Sequence, residues 1–280
     1  MDEVKEHWER DGLSRAILDA LASSGKDLGA LTIRDLAPLD QFHGGGLPFT
    51  MRLATLAGLT PGTHVLDVGG GLGGPARTLA IEFGCRVTVI DLAESYVEAG
   101  RLLTGLMGLD DRITFHVGDA LELPFEDGAF DAVWTQNSGM NVADKEGLYA
   151  GFHRVIAPGG LLVTQEPMSG PVQPPIYPLM WATDPATDFL RTPDELRAVI
   201  ASQGFRETAW SEITIGPPPP GRPPPAHTIQ ALVMGDERVD EIMRASRRNE
   251  DERRIVVIHA VFAAGPTSER PRSGSRGSAR

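Results

Sequence analysis

Apolar residues at near-helical intervals open the chain. Val4, Trp8, Leu13, Ile17, Leu18 and Leu21 predict one amphipathic helix over residues 2–22. Residues 25–39 carry a shorter, broken form of the pattern. The stretch Leu39-Asp40-Gln41-Phe42-His43-Gly44-Gly45-Gly46 holds too much glycine for a regular element. A further helix is expected over Leu47–Leu59, stopped by the turn Thr60-Pro61-Gly62. Beyond it the period changes. Strand patterns at Val65–Val68, Arg86–Ile90, Ile113–Val117, Ala129–Thr135 and Leu161–Gln165 are separated by helical patterns at Ala76–Phe83, Ala93–Met107 and about 144–156. A loop stands in place of the helix between the third and fourth. Such alternation predicts a parallel sheet with right-handed crossovers.

The second half departs from that rhythm. Residues 167–192 are rich in proline and carry Tyr177, Trp181 and Phe189, which predicts a loop-and-helix cap over the ligand edge of the sheet. A helix over Pro193–Gln203 with Gly204 as its C-cap leads to a strand at Phe205–Ile215. The proline run at 217–225 is expected to be polyproline-like or irregular. A helix around Arg238–Arg248 and a last strand at Arg253–Ala263 follow. The final two strands are joined without a crossover helix packed in the usual alternation. The expected organisation is therefore an N-terminal helical cap (1–60) and an α/β domain (61–264) with insertions at about 167–192 and 216–250. A disordered tail (265–280) completes it.

Composition narrows the class. A single cysteine, Cys85, rules out a disulfide framework, and no spacing of Cys, His and carboxylate marks a metal site. No apolar run is long enough to span a bilayer and the N-terminus is charged, so a cytoplasmic protein without membrane partners is expected. The net charge is −12, and the final stretch from Gly265 is itself basic, so the rest is more acidic still. A surface of that sign repels phosphate backbones, which argues against a nucleic-acid partner and, less strongly, against a polyanionic small substrate.

The chemistry gathers at Val65-Leu66-Asp67-Val68-Gly69-Gly70-Gly71-Leu72-Gly73-Gly74-Pro75. This is strand, glycine turn and helix start, where a ligand can approach bare backbone N–H groups. Gly69-x-Gly71-x-x-Gly74 fits a dinucleotide fingerprint, and Gly69-x-Gly71-x-Gly73 fits a nucleoside loop equally well. Asp91, ending the second strand, suits the ribose hydroxyls of either ligand. A nicotinamide oxidoreductase and a non-catalytic small-molecule-binding protein are thus the alternatives to weigh. Asp67 inside the first strand and Gly118-Asp119-Ala120 after the third, near where an adenine would lie, favour a different cofactor.

Taken in order, these motifs resemble the class I S-adenosylmethionine-dependent methyltransferases. Phe130-Asp131-Ala132-Val133-Trp134 resembles their fourth strand, and Arg154-Val155-Ile156-Ala157-Pro158-Gly159-Gly160 the entry to their fifth. Asp40-Gln41-Phe42-His43-Gly44-Gly45 and Thr135-Gln136-Asn137-Ser138-Gly139-Met140-Asn141 resemble the small-molecule branch that includes the sarcosine/dimethylglycine and phosphoethanolamine N-methyltransferases. The resemblance implies a Rossmann-like seven-stranded sheet, mostly parallel with an antiparallel last strand, and a small metabolite or natural product methylated on N, O or C. It implies a cofactor set of Gln41, Asp67, Gly69, Gly71, Gly73, Asp91, Leu92, Asp119, Ala120 and Gln136. It also implies an acceptor set of Asn137, Met140, Asn141, Tyr177 and Trp181. The branch commonly has a histidine where this chain has Asn137, which cannot act as a base.

An activated sulfonium methyl needs mainly in-line positioning, but an oxygen or carbon acceptor must also lose a proton. Glu166, expected at the tip of the fifth strand beneath Tyr177 and Trp181, and His43 among its glycines are the candidate bases. No metal is expected to take part, and the oligomeric state is open, a homo-oligomer included.

Overall fold

The computed structural model describes residues 2–215 and 239–265. Helices α1 (Asp2–Trp8), α2 (Leu13–Ser23), α3 (Ile33–Asp40) and α4 (Gly46–Ala57) precede the first strand. The single helix expected over 2–22 is two, because Gly12 takes a left-handed φ of 70° and redirects the chain. The broken pattern at 25–39 becomes α3, nucleated by a capping box in which Thr32 and Asp35 satisfy each other's backbone N–H.

The α/β region runs β1 (His64–Val68), α5 (Gly74–Glu82), β2 (Arg86–Asp91), α6 (Glu94–Leu106), β3 (Ile113–Val117), β4 (Phe130–Gln136), α7 (Lys145–Val155) and β5 (Ile156–Ser169). It then continues through α8 (Pro193–Ser202), β6 (Phe205–Ile213), α9 (Val239–Asp251) and β7 (Ile255–Ala264). The seven strands form one sheet in the order β3-β2-β1-β4-β5-β7-β6. Strands β1 to β5 pair in parallel, and β7 lies antiparallel between β5 and β6. The expected mixed sheet is the observed one. The proline run 217–225, most of the 216–250 insertion and the tail beyond 265 lie outside the described residues.

One strand differs in a way that matters for the site. β5 does not stop near Gln165. Its parallel partner β4 ends at Gln136, opposite Gln165, but antiparallel β7 continues the ladder from Glu166–Ile258 to Ser169–Ile255. Glu166 therefore lies inside a strand rather than at its tip. The 167–192 segment contributes the end of β5, a short 3-10 turn at Pro185–Thr187 and irregular chain, not a helical cap.

Two apolar cores flank the sheet. Leu66, Val133, Phe152, Leu162 and Phe262 fill one, and Leu53, Val65, Leu79, Val89 and Trp134 fill the other. The N-terminal helices make a third cluster, in which Leu13, Ile17, Leu21 and Leu36 pack with Tyr96 and Leu103 of α6. Just after α1, the Glu9 carboxylate accepts from the Glu94 and Ser95 N–H groups at the start of α6. A negative side chain there satisfies orphan donors and favours the helix dipole. The contact ties α1 down over the carboxyl ends of β1 and β2.

Candidate active site

At those strand ends the backbone opens into a cavity. Its floor is Asp67, Val68 and the turn Gly69-Gly70-Gly71, and one side is Asp91, Leu92, Gly118 and Ala120. Its far wall is Gln136, Asn137, Ser138 and Asn141. Its roof is Val4, Trp8, Phe42 and His43. Gly69 and Gly71 have left-handed φ values of 68° and 54°, which glycine adopts without steric cost. A Cβ on Gly69 would lie 2.4 Å from the Ser138 Cβ, so the turn after β4 is seated directly on the glycine turn.

Asp67 is buried, and its Oδ2 has no hydrogen-bond partner. Burial, and secondarily the neighbouring charge of Asp91, pushes its carboxyl up to about 8. Asp91 is spent in part on the protein itself. Its Oδ2 accepts from Gly71 N at 2.8 Å and its Oδ1 from Ala93 N at 2.9 Å, so it shapes the glycine turn as well as facing the cavity. Burial raises it, while the Ala93 and Gly71 N–H groups pull it back.

The far wall rests on a buried polar network. The amides of Gln136 and Gln165 join at 3.1 Å, and the Gln165 oxygen also contacts His259 Nε2 at 2.8 Å. Gln165 Nε2 donates to Asn137 Oδ1 and to Gly44 O. His43 Nε2 lies 3.0 Å from Thr50 Oγ1 and 3.1 Å from Gln41 Oε1. Burial lowers His43 and His259 each to about 4, so both are neutral near pH 7. Asn137 itself sits at φ 56°, unusual for a residue with a Cβ, and its N–H donates to Gln165 O. Asn141 Oδ1 is buried and unpartnered.

The structure thus brings Asp67, Gly69, Gly71, Asp91, Leu92, Ala120, Gln136, His43, Asn137 and Asn141 around one cavity. The other expected residues are set apart from it. Gln41 donates to Thr78 and accepts from Thr50, Gly73 caps α5, and Asp119 accepts from the Leu121 N–H. Tyr177 and Trp181 direct their polar ends at Asp188 and pack with Met140, Leu179 and Ile255, so they do not screen Glu166. Met140 and Glu166 face a second, small cavity behind the post-β4 turn, beside Lys145, Tyr149 and Leu196. Sequence reasoning gave no site role to Val4, Trp8, Ser138 or Lys145. Val4 and Trp8 read as apolar positions of a helix, Ser138 stands in the 135–141 motif without a role of its own, and no local pattern marks Lys145.

Residues 66–164, from β1 through most of β5, match the model of a methyltransferase domain. Over that span the chain is similar to methyltransferase domains. It is similar to a probable chloroplastic tocopherol O-methyltransferase of Oryza sativa subsp. japonica, 43% identical over 99 residues, covering 35% of this chain and 27% of the relative. It is also similar to a sarcosine/dimethylglycine N-methyltransferase of Halorhodospira halochloris, 32% identical over 162 residues and 56% of each chain. The chain thus spans between about a quarter and just over half of these curated relatives. In fold it resembles the geranyl diphosphate C-methyltransferase of Streptomyces coelicolor A3(2), with a TM-score of 0.67 at 18% identity over 94% of this chain and 97% of that one.

The lining of the cavity is compatible with S-adenosylmethionine, the molecule bound in the solved Haemonchus contortus phosphoethanolamine N-methyltransferase 2, a structure of similar fold. The bare backbone of the glycine turn admits a close ligand. The unpartnered Asp67 oxygen suits an ammonium donor, and Asp91 retains lone pairs for ribose hydroxyls.

Proposed function

We infer that the protein transfers the methyl group of S-adenosylmethionine to a small-molecule acceptor that carries no phosphate. The cofactor supplies an activated methyl group when bound. One observation carries the reading: the cofactor floor of Asp67, the glycine turn and Asp91 is continuous with a wall of His43, Gln136, Asn137 and Asn141. The same side chains can therefore hold donor and acceptor in one water-poor space.

Acceptor chemistry is argued from the wall. Among the described residues lining the cavity the charged side chains are Asp40, Asp67 and Asp91, with no lysine or arginine. Arg77 compensates Asp40, and Asp67 is mostly protonated near pH 7. A phosphate ester would find no cation to pair it among these described lining residues, whereas a neutral or cationic group needs none. The unpartnered Asn141 oxygen suits an N–H or O–H donor on the acceptor. Trp8 and Phe42 add aromatic faces, which would favour a developing ammonium cation.

Proton removal, where the acceptor requires it, falls to His43. It lines the cavity and is neutral. Its Nδ1 faces the Gln136 and Gln165 amides and its Nε2 faces Gln41 Oε1 and Thr50 Oγ1, so it takes a proton only by giving up one of those contacts. The Glu166 carboxylate points behind the turn and is the weaker candidate for that role.

Calorimetry with S-adenosylhomocysteine tests the cofactor reading, which absence of binding would overturn. Incubation with labelled S-adenosylmethionine and a panel of tocopherols, sarcosine, dimethylglycine and geranyl diphosphate tests the acceptor reading. Label is expected only in the acceptors without phosphate. Preferential labelling of geranyl diphosphate would refute it.

A further inference from the structure

Gly139, in the turn that follows β4, is held at both ends of its residue by opposite charges. Its N–H donates to Glu166 Oε1 at 3.0 Å, and its carbonyl accepts from Lys145 Nζ at 2.5 Å. Glu166 also accepts from Thr135 Oγ1 at 3.2 Å, and Lys145 also donates to Val142 O at 2.6 Å. Both side chains are almost wholly buried, Glu166 at 2% and Lys145 at 3% exposure. The fit is close, since a Cβ on Gly139 would lie 3.0 Å from Glu166 Oε1.

We propose that Glu166 and Lys145 are positioning residues that clamp the Gly139 backbone and thereby hold the 137–142 turn against the cofactor cavity. The two charges compensate each other, as burial requires. Their hydrogen bonds to peptide groups are charge-assisted and so stronger than neutral ones. What they hold is the piece of chain that lines the far wall. Asn137, Ser138, Asn141 and Val142 face the cavity, and Ser138 Oγ donates to Val68 O while its Cβ backs Gly69. A turn that shifts by a few tenths of an ångström therefore moves both the acceptor wall and the seat of the glycine turn. Asn137 enters the turn at a left-handed φ of 56°, which Asn adopts more readily than other residues with a Cβ, and its N–H donates to Gln165 O, so the start of the turn is fixed on β5 as well.

Burial pushes Glu166 up to about 7 against the pull of Gly139 N–H and Lys145, and lowers Lys145 to about 8. Tyr149 and Glu146 from α7 and Arg191 and Asp188 from the chain before α8 are the other charged and titratable groups around them. The carboxylate is thus poised near neutrality, but the clamp stands on the four hydrogen bonds.

The proposal rests on the cavity being the S-adenosylmethionine site, and the test separates the two. Wild type, Glu166→Gln, Lys145→Met, the double variant and Gly139→Ala are compared by calorimetry with S-adenosylhomocysteine, by thermal melting and by amide hydrogen exchange. If wild type does not bind, the cofactor reading falls. If it binds, each single variant is expected to lose about tenfold in affinity, the scale of one charge-assisted hydrogen bond. Faster exchange is expected in 137–142, with β5 and α7 still protected.

The double variant discriminates further. A merely structural ion pair recovers when both charges are removed. A clamp does not, so affinity and turn protection stay low even where the melting temperature returns. Affinity that recovers in the double variant, or is unchanged in Glu166→Gln and Gly139→Ala, overturns the proposal.

Discussion

Arg77 and Asp40 form an ion pair that solvent barely reaches, with Nη2 to Oδ2 at 2.8 Å and side-chain exposures of 0% and 2%. The guanidinium also donates to Thr104 Oγ1 and to the Leu72 carbonyl in the turn that opens α5. One residue of α5 thereby joins α3, α6 and the glycine turn.

Removing one partner would leave the other charge buried and alone. Arg77→Met is expected to destabilise the fold by roughly 3–5 kcal/mol, read from urea unfolding followed by circular dichroism. Arg77→Met combined with Asp40→Leu is expected to recover much of that loss.

Binding of S-adenosylhomocysteine should release a proton from Asp67. In the empty site its carboxyl titrates at about 8, so near pH 7 it is mostly protonated. A ligand ammonium favours the charged form, so about one proton leaves on binding and affinity rises with pH toward 8. Calorimetry in buffers of different ionisation enthalpy counts that proton. Asp67→Asn is expected to abolish the release, and an unaltered count in the variant would remove Asp67 from contact with the ligand.

Asp91→Ala is expected to weaken S-adenosylhomocysteine binding by roughly ten- to a hundredfold, the worth of a charge-assisted hydrogen bond. Because Asp91 also holds the Gly71 and Ala93 N–H groups, faster amide exchange at the glycine turn should accompany the loss. Equal affinity would remove Asp91 from the cofactor set.

Much of this floor was legible in the sequence because its determinants are local. A β-branched run, a glycine cluster and an acid at the end of the next strand each declare themselves within a dozen residues. The Asp40–Arg77 pair, the Glu9 contact with α6 and the Glu166 end of the Gly139 clamp join segments far apart in the chain, so no short window contains them. Glu166 was noticed but placed at a strand tip, since nothing near it reveals that β7 prolongs its ladder. Trp8 fits a helical stripe as well as a cavity roof, and only the left-handed Gly12 distinguishes them.

His43 supplies a pH dependence of stability. Burial holds its folded pKa near 4, below the usual 6.5. As pH falls through that interval the unfolded chain takes up the proton first, so stability is lost toward acid. Glu166 and Asp67 are raised and act in the opposite sense, favouring the folded state as pH falls. The comparison is therefore with His43→Gln, whose stability relative to wild type should improve steadily from pH 6.5 to pH 4. A constant difference would mean that His43 stays accessible to protons in the folded protein.

Turnover of an acceptor without phosphate should be unchanged by EDTA, because no cluster of three His, Cys, Asp or Glu side chains among the described residues could hold a metal ion. Loss of activity restored by magnesium would instead indicate a phosphorylated acceptor that brings its own ion.

The cavity has two authors in the chain. Its floor and far wall come from the stretch recognisable as a methyltransferase domain, whereas Val4, Trp8, Asp40, Phe42 and His43 come from before it. Those five residues ride on helices and a glycine-rich loop that pack on α6 through an apolar cluster and are pinned by the Glu9 contact and the Asp40–Arg77 pair. On the proposed function, exchanging Val4, Trp8, Phe42 and His43 is therefore expected to change which acceptor is used more than it changes affinity for S-adenosylhomocysteine. Asp40, by contrast, is bound up with the glycine turn through Arg77. Relatives that share the floor can be specialists in unlike molecules, and transplanting only the roof is a route to exchanging their tastes.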